Sequence, residues 1–166
     1  MPDLLETIQR TAIDPAMELL PESMNSKRAR LMMLAIGLQE SRFTHRAQVV
    51  SGGGKGPALG LWQFERGGGV KGVLTHNQTR PYALKVCAAR GVSPDSPSVW
   101  LRLESDDVLA AAFARLLLYS DPFAMPSERD PDAAWRLYAD RTWRPGKPHR
   151  STWDAFHAQA RKAVGL

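Results

Sequence analysis

The sequence predicts a mainly α-helical single domain spanning residues 1–166, with one small irregular or β-hairpin region around residues 44–78. Two observations carry this expectation. A capping residue is followed by proline in Asp14-Pro15, Ser96-Pro97 and Asp130-Pro131, and proline costs nothing at a first helical position, where its missing N–H would go unbonded anyway. Between such signals apolar residues recur at helical spacing, whereas 44–78 is glycine-rich and aperiodic. A chain of 166 residues that is 43% apolar and 23% charged buries one ordinary core without metal or disulfide staples.

Helices are expected near residues 3–12, 15–20, 27–41, 81–90, 97–102, 106–119, 131–141 and 152–163. In the first, Leu4, Leu5, Ile8 and Ala12 share one face. The second opens at Asp14-Pro15. The third follows Ser26 as cap and runs through Leu31-Met32-Met33-Leu34-Ala35-Ile36-Gly37-Leu38, the longest apolar run. That run is far short of the roughly 20 residues a membrane span needs, and with no polar face it reads as a helix buried on every side. Gly37 costs a helix about 1 kcal/mol relative to alanine, so a close approach of another backbone or a ligand is expected there. Within 44–78 only Gln48-Val49-Val50 hints at an extended piece. The remainder reads as loops, turns and a small hairpin, and long irregular segments of compact domains are usually functional. Ser105 before Asp106-Asp107 starts a further helix, with both charges at the positive end of its dipole. Its core stripe is Val108, Ala112, Leu116 and Tyr119. The last helix opens on Ser151-Thr152-Trp153-Asp154, which has capping-box spacing with Asp at the final position.

The formal charge of +5 is unevenly spread: Arg42 through Arg90 carries eight Lys or Arg and one acid, Glu65, a net +7 against −2 for the remainder. Such a segment attracts a polyanion, nucleic acid or the carboxylate-bearing bacterial wall. These bases lie in glycine-rich chain, not along one helix face, and no helix-turn-helix, zinc or RNA-binding signature accompanies them. No nucleic-acid partner is therefore expected. Met1 to Glu6 carries acids where a secretory signal carries bases, so no signal peptide is expected. The single cysteine, Cys87, reads as a buried core thiol. Ser51 to Pro57 superficially resembles a phosphate loop, but it lacks the first glycine and a Ser or Thr after Lys55. His45, His76, His149 and His157 have no metal-ligand spacing, and neither cofactor nor metal is expected.

Glu40 is the residue best placed for chemistry. It emerges at the C-terminal end of the apolar helix, where desolvation disfavours the carboxylate and the negative end of the dipole adds to that penalty. A carboxylic acid still protonated near neutrality can donate to a leaving glycosidic oxygen. The bland alternative is a solvated Glu40, or one paired with Arg42 at a frayed helix end. Glu65, alone among bases, is expected to stay ionised, and two carboxyls held apart in this way can divide acid and stabiliser roles; otherwise it pairs with Arg66 or Arg42. Five tryptophans raise a sugar-stacking reading. Trp62 and Trp143 are the two expected near a groove, with Gly67-Gly68-Gly69 as a mobile lip.

Gln39-Glu40-Ser41-Arg42-Phe43, followed about twenty residues later by Gly60-Leu61-Trp62-Gln63, resembles the lysozyme-like lytic transglycosylases and goose-type lysozymes. Their signature is a Glu-Ser pair closing a core helix, then a Gly-Leu-Met-Gln type turn. Trp62 stands in place of the methionine, and Phe43 where the family has an aromatic. A third family element, an Ala-Tyr-Asn-Ala-Gly type segment, has its nearest match in Ala134-Trp135-Arg136-Leu137-Tyr138, running into Thr142-Trp143-Arg144-Pro145-Gly146, without the asparagine. The resemblance covers residues 27–66 well and 105–147 loosely. It implies a lysozyme-like fold and cleavage of the peptidoglycan glycan strand between N-acetylmuramic acid and N-acetylglucosamine, with Glu40 as acid and then base. It also implies a tyrosine beside that acid, Tyr138 or its competitor Tyr119, and substrate contacts from Ser41, Phe43, Trp62, Gln63 and Trp143. In transglycosylases one glutamate suffices and the product is a 1,6-anhydro sugar; in hydrolytic members water attacks and a second acid helps, which would engage Glu65. A scaffold that only binds wall or a partner, and a nucleic-acid-binding module, are the alternatives. A monomer is expected. Together with the missing signal, the resemblance suits a bacteriophage product that reaches the wall in the periplasm or from a virion.

Overall fold

The computed structural model describes residues 3–166. These form a mainly helical body, 62% helix and 5% strand, with a three-stranded antiparallel sheet where the glycine-rich segment lies. Its centre is α3 (Lys27–Ser41), in which every residue from Leu31 to Leu38 is buried. Ser26 caps it as expected, accepting from the Ala29 N–H at 3.1 Å. On its flanks pack α9 (Arg150–Ala163) and α7 (Asp107–Tyr119), the latter buried from Leu109 through Leu118. A helix apolar all round needs neighbours on all sides, and these two supply most of them.

The Asp14-Pro15 pair does not start a helix. α1 (Leu4–Ile8), a wide π turn (Gln9–Ile13) and α2 (Asp14–Glu18) run on through right-handed helical residues without a break. In that turn the Asp14 N–H reaches back five residues to the Gln9 carbonyl. The extra width makes room for the Pro15 ring, which would clash with the carbonyl four residues back in a regular helix.

The remaining helices are α4 (Lys71–Thr75), α5 (Arg80–Arg90), α6 (Ser96–Arg102) and α8 (Pro131–Trp135). Aspartates take over two of the expected serine caps: Asp95, not Ser96, accepts from Ser98 at 2.9 Å, and Asp106, not Ser105, accepts from Leu109 at 3.0 Å. A charged acceptor makes the stronger bond to a free helix N–H. Asp130 caps α8 as read from the sequence, at 2.9 Å from the Ala133 nitrogen. The capping box at Ser151 does not form, because α9 begins earlier, at Arg150, whose guanidinium takes Asp154 at 2.6 Å.

In the sheet, β2 (Lys55–Leu59) lies between β1 (Ala47–Val49) and β3 (Phe64–Glu65), with Leu59 opposite Ala47 on one side and Phe64 on the other. Directly after β3 the chain passes through a turn at Arg66–Val70 that is kinked at the non-helical Gly68 (φ −98°, ψ −107°), in keeping with the irregular chain expected there, and then forms α4, where a loop was expected. Glycine weakens helix propensity locally, but burial of Val70, Val73 and Leu74 more than offsets it. Cys87 is a buried thiol, as expected, its pKa pushed up to about 11 chiefly by burial. Among the described residues no helix is long and apolar enough to cross a membrane.

Candidate active site

Glu40 sits in the last turn of α3, which stops on two left-handed residues, Arg42 (φ 57°) and Phe43 (φ 56°). The Arg42 side chain does not pair with Glu40. Its Nη1 donates to the carbonyls of Leu38 (2.9 Å) and Gln39 (3.1 Å), closing the helix end while the guanidinium lies over the Phe156 ring. With its neighbour so engaged, Glu40 turns into a cleft of about 760 Å³ whose wall also includes Gln63, Glu65, Tyr138, Trp143 and Arg144.

Burial is the largest influence on the Glu40 carboxyl and raises its pKa from the ordinary 4.5 to about 7. Tyr138 acts the other way: its phenol donates to Glu40 Oε2 at 2.6 Å, which favours the carboxylate, and the charge of Glu65 across the cleft adds a smaller upward push. Tyr138 is itself pushed well above the ordinary tyrosine range by burial and by Glu40, so it stays a hydrogen-bond donor at neutral pH.

Tyr138 lies in an irregular stretch of helix. After α8 the helix widens into a π turn (Arg136–Thr142), in which the Trp143 N–H bonds to the Tyr138 carbonyl five residues back at 2.9 Å, and Thr142 Oγ1 takes the Leu137 carbonyl at 2.6 Å. Such wide turns shift the side chains that follow off the regular helical register. The phenol ring is then clamped by Trp153, stacked on it at 5.2 Å with an interplanar angle of 4°, and by the edge of Trp135.

The Gly60–Gln63 turn is held against α3 by Ser41. The Ser41 hydroxyl, 2% exposed, donates to the Leu61 carbonyl at 2.6 Å and accepts from the Phe43 N–H at 3.0 Å. Gly60, at φ 83°, lies so close to α6's end that a Cβ would stand 2.7 Å from the Leu103 carbonyl, so only glycine fits. Gln63 is left-handed too (φ 54°), its amide returning to the Gly60 carbonyl at 3.0 Å.

Of the side chains expected at the substrate, Glu40, Tyr138, Gln63, Glu65 and Trp143 line the one cleft. Four others do not. Ser41 is the buried clip just described. Phe43 is buried against Gly37, where a Cβ would meet its ring at 2.0 Å, so the close approach at that glycine is an aromatic side chain, neither backbone nor ligand. Trp62 is wholly buried, its Nε1 donating to the Met33 carbonyl at 2.8 Å, because an indole in the turn faces α3 and has no route to the groove. Tyr119 lies elsewhere, edge-on to Tyr82 at 6.1 Å, so Tyr138 is the tyrosine at the carboxyl.

Sequence reasoning missed Arg144, Lys147 and His149, which give the cleft a basic wall, and Gln48, which lines it and accepts from the Ala58 N–H at 3.1 Å. Arg144 is left-handed at φ 47°, and with Arg42, Phe43 and Gln63 it completes the set of non-glycine residues with positive φ among the described residues. Such strain gathers where the surrounding structure over-determines a site. Of the three glycines expected at a lip, Gly68 and Gly69 line the cleft and Gly67 does not. Among the described residues no group of His, Cys, Asp and Glu is arranged to hold a metal ion. No family model, no curated protein and no solved structure matches the chain.

Proposed function

We propose that the chain is a lysozyme-like peptidoglycan-cleaving enzyme, acting on the glycan strand as a lytic transglycosylase with Glu40 as acid and then base. The observation that carries this reading is a glutamic acid with a pKa of about 7, hydrogen-bonded to a buried tyrosine at the wall of an open cleft. At neutral pH a large fraction of such carboxyls holds a proton. Glu40 gives it to the glycosidic oxygen as the bond to the muramic C1 breaks, leaving an oxocarbenium-like sugar and a carboxylate. The Tyr138 phenol donates more strongly to that carboxylate than to the neutral acid, so it favours the state that forms along the reaction. The carboxylate then takes the proton of the muramic C6 hydroxyl, whose oxygen closes on C1, and Glu40 returns to its protonated form. The basic wall of Arg144, Lys147 and His149 suits the carboxylates of peptidoglycan.

Clearing of a purified peptidoglycan suspension, with mass analysis of the fragments, tests this. Wild-type protein is expected to clear it and release 1,6-anhydro ends, and Glu40→Gln to lose at least about a hundredfold in rate. Equal clearing by both proteins rejects Glu40 as the acid. Pelleting with the wall without clearing supports a binding module instead. A hydrolytic reading is favoured by one observation, that Glu65 lines the same cleft and faces Glu40 electrostatically. It requires reducing ends and a loss in Glu65→Gln as deep as in Glu40→Gln; transglycosylation requires Glu65→Gln to keep most of the anhydro product.

A further inference from the structure

A second cavity, of about 820 Å³, opens at the opposite end of α3. Ser23 and Ser26, just before the helix, form one side of it, and Arg115 and Tyr119 of α7 with Asp121 and Phe123 beyond form another. At 1.5 Å per residue, Ser26 lies roughly 20 Å along the helix axis from Glu40, too far to share a ligand-binding subsite.

The informative residue is Arg115. It is 6% exposed, its Nε donates to the Met24 carbonyl at 2.8 Å, and its Nη1 is buried with no hydrogen-bond acceptor among the described residues. Arg115 is among the residues that line the cavity, and the Met24 carbonyl that holds its Nε lies in the chain between two others, Ser23 and Ser26. Other arginines here are matched to carboxylates: Arg28 to Glu128, Arg46 to Asp107, Arg90 to Asp106 and Arg141 to Asp121. A buried guanidinium with an unused N–H is costly, and an anion in contact with it removes the cost. The positive end of α3, capped by Ser26, points the same way.

The charge and shape of the wall narrow the ligand. Asp121 is already held by Arg141, at 2.8 and 3.3 Å, and Arg115 has no carboxylate partner among the described residues, which leaves it a single uncompensated positive charge. That balance suits one negative charge and works against a dianion such as phosphate. Tyr119 and Phe123, 37% and 66% exposed, offer apolar and aromatic surface at the same opening. We infer that this cavity binds a monocarboxylate carried on an apolar or aromatic stem, the carboxylate completing the Arg115 guanidinium and the stem lying against Tyr119 and Phe123. The site is independent of the chemistry assigned to Glu40.

The test titrates 3-phenylpropionate, its neutral amide and inorganic phosphate into the full chain, following the Nε–H resonance of Arg115 by nitrogen-proton NMR. The carboxylate is expected to move that resonance saturably, and the amide and phosphate to bind at least about tenfold more weakly, since the amide loses the charge-assisted bond and phosphate brings a second charge that one guanidinium does not compensate. Arg115→Met, which lacks that resonance and is followed through the backbone amide shifts of Tyr119 and Phe123, should lose the same factor for the carboxylate. Phe123→Ala, on an exposed side chain whose ring otherwise meets the Arg141 guanidinium at 5.0 Å, should weaken 3-phenylpropionate while leaving acetate unaffected, and Glu40→Gln should change nothing. Equal binding of acid and amide, tighter binding of phosphate, or an Arg115 resonance unmoved at tens of millimolar acid overturns the assignment.

Discussion

Replacing Glu40 by Gln should make the protein more stable, and only above acidic pH. The carboxyl titrates at an ordinary 4.5 in the unfolded chain and at about 7 in the folded one, mainly because it is buried. Between those two values the folded state binds the extra proton, so stability falls as pH rises through that window and stays lowered above it. At about 1.4 kcal/mol per pH unit, the span amounts to roughly 3 kcal/mol. Glutamine keeps the size and the acceptor for the Tyr138 hydroxyl without titrating. Urea unfolding of both proteins should therefore coincide near pH 4 and diverge in favour of Glu40→Gln by up to about 3 kcal/mol near pH 8, or about 6–12 °C in Tm for a chain of this size. The assay makes no use of activity. Parallel pH profiles for the two proteins would falsify the claim that burial holds this proton.

Three further outcomes follow from the same geometry. Tyr138→Phe removes the 2.6 Å bond that favours the Glu40 carboxylate, so carbon-detected NMR titration should find the Glu40 midpoint raised from about 7 by roughly one pH unit or more; a fall would show that the phenol opposes ionisation. Gly37→Ala, although favourable for an isolated helix, drives a methyl to 2.0 Å from the buried Phe43 ring and should cost about 1–3 kcal/mol in urea unfolding; a gain in stability would contradict that contact. Asp106→Ala removes the cap of α7 and two 3.0 Å bonds from Arg90 together. A loss of about 2 kcal/mol or more is expected by thermal melting, and a change within experimental scatter would show that neither contact contributes.

What was legible in the sequence divides along physical lines. The span of α3 was readable because Ser26 and the apolar run each mark the same segment, and the environment of Glu40 followed from its place at the end of that run. The joined α1 and α2 were not, since Asp14-Pro15 has the same local chemistry whether it begins a helix or follows a wide turn inside one. Gly67 to Gly69 do mark a break, kinked at Gly68, but they gave no sign that α4 would follow at once with Val70, Val73 and Leu74 buried. At the site, spacing identified which segments meet but not which way their side chains face. Ser41, Phe43 and Trp62 stand in the expected segments and turn inward, whereas Arg144 and Lys147, to which no site role was given, line the cleft. The sequence left Tyr119 as a competitor to Tyr138, and only the three-dimensional path of the chain brings one of the two phenols to Glu40.

The tryptophans acquire a different explanation from the sugar-stacking one that their number raised. Four indole N–H groups donate to backbone carbonyls around the cleft: Trp62 to Met33 at 2.8 Å, Trp143 to Trp62 at 2.9 Å, Trp153 to Pro131 at 2.9 Å, and Trp100 to both Pro57 and Phe64 at 3.0 and 3.1 Å. Each bond ties together two elements of different sequence origin, α3 to the turn, the turn to the segment after Tyr138, α9 to the start of α8, and α6 to the sheet. A buried carboxyl that costs roughly 3 kcal/mol when ionised, beside four left-handed residues, relaxes into solvent unless the shell around it is rigid. An indole serves that purpose better than an aliphatic side chain, because it fills the volume and also fixes direction through its single donor. Only Trp143 both braces and lines the cleft, so it alone could contact a sugar without giving up the hydrogen bond that holds it there.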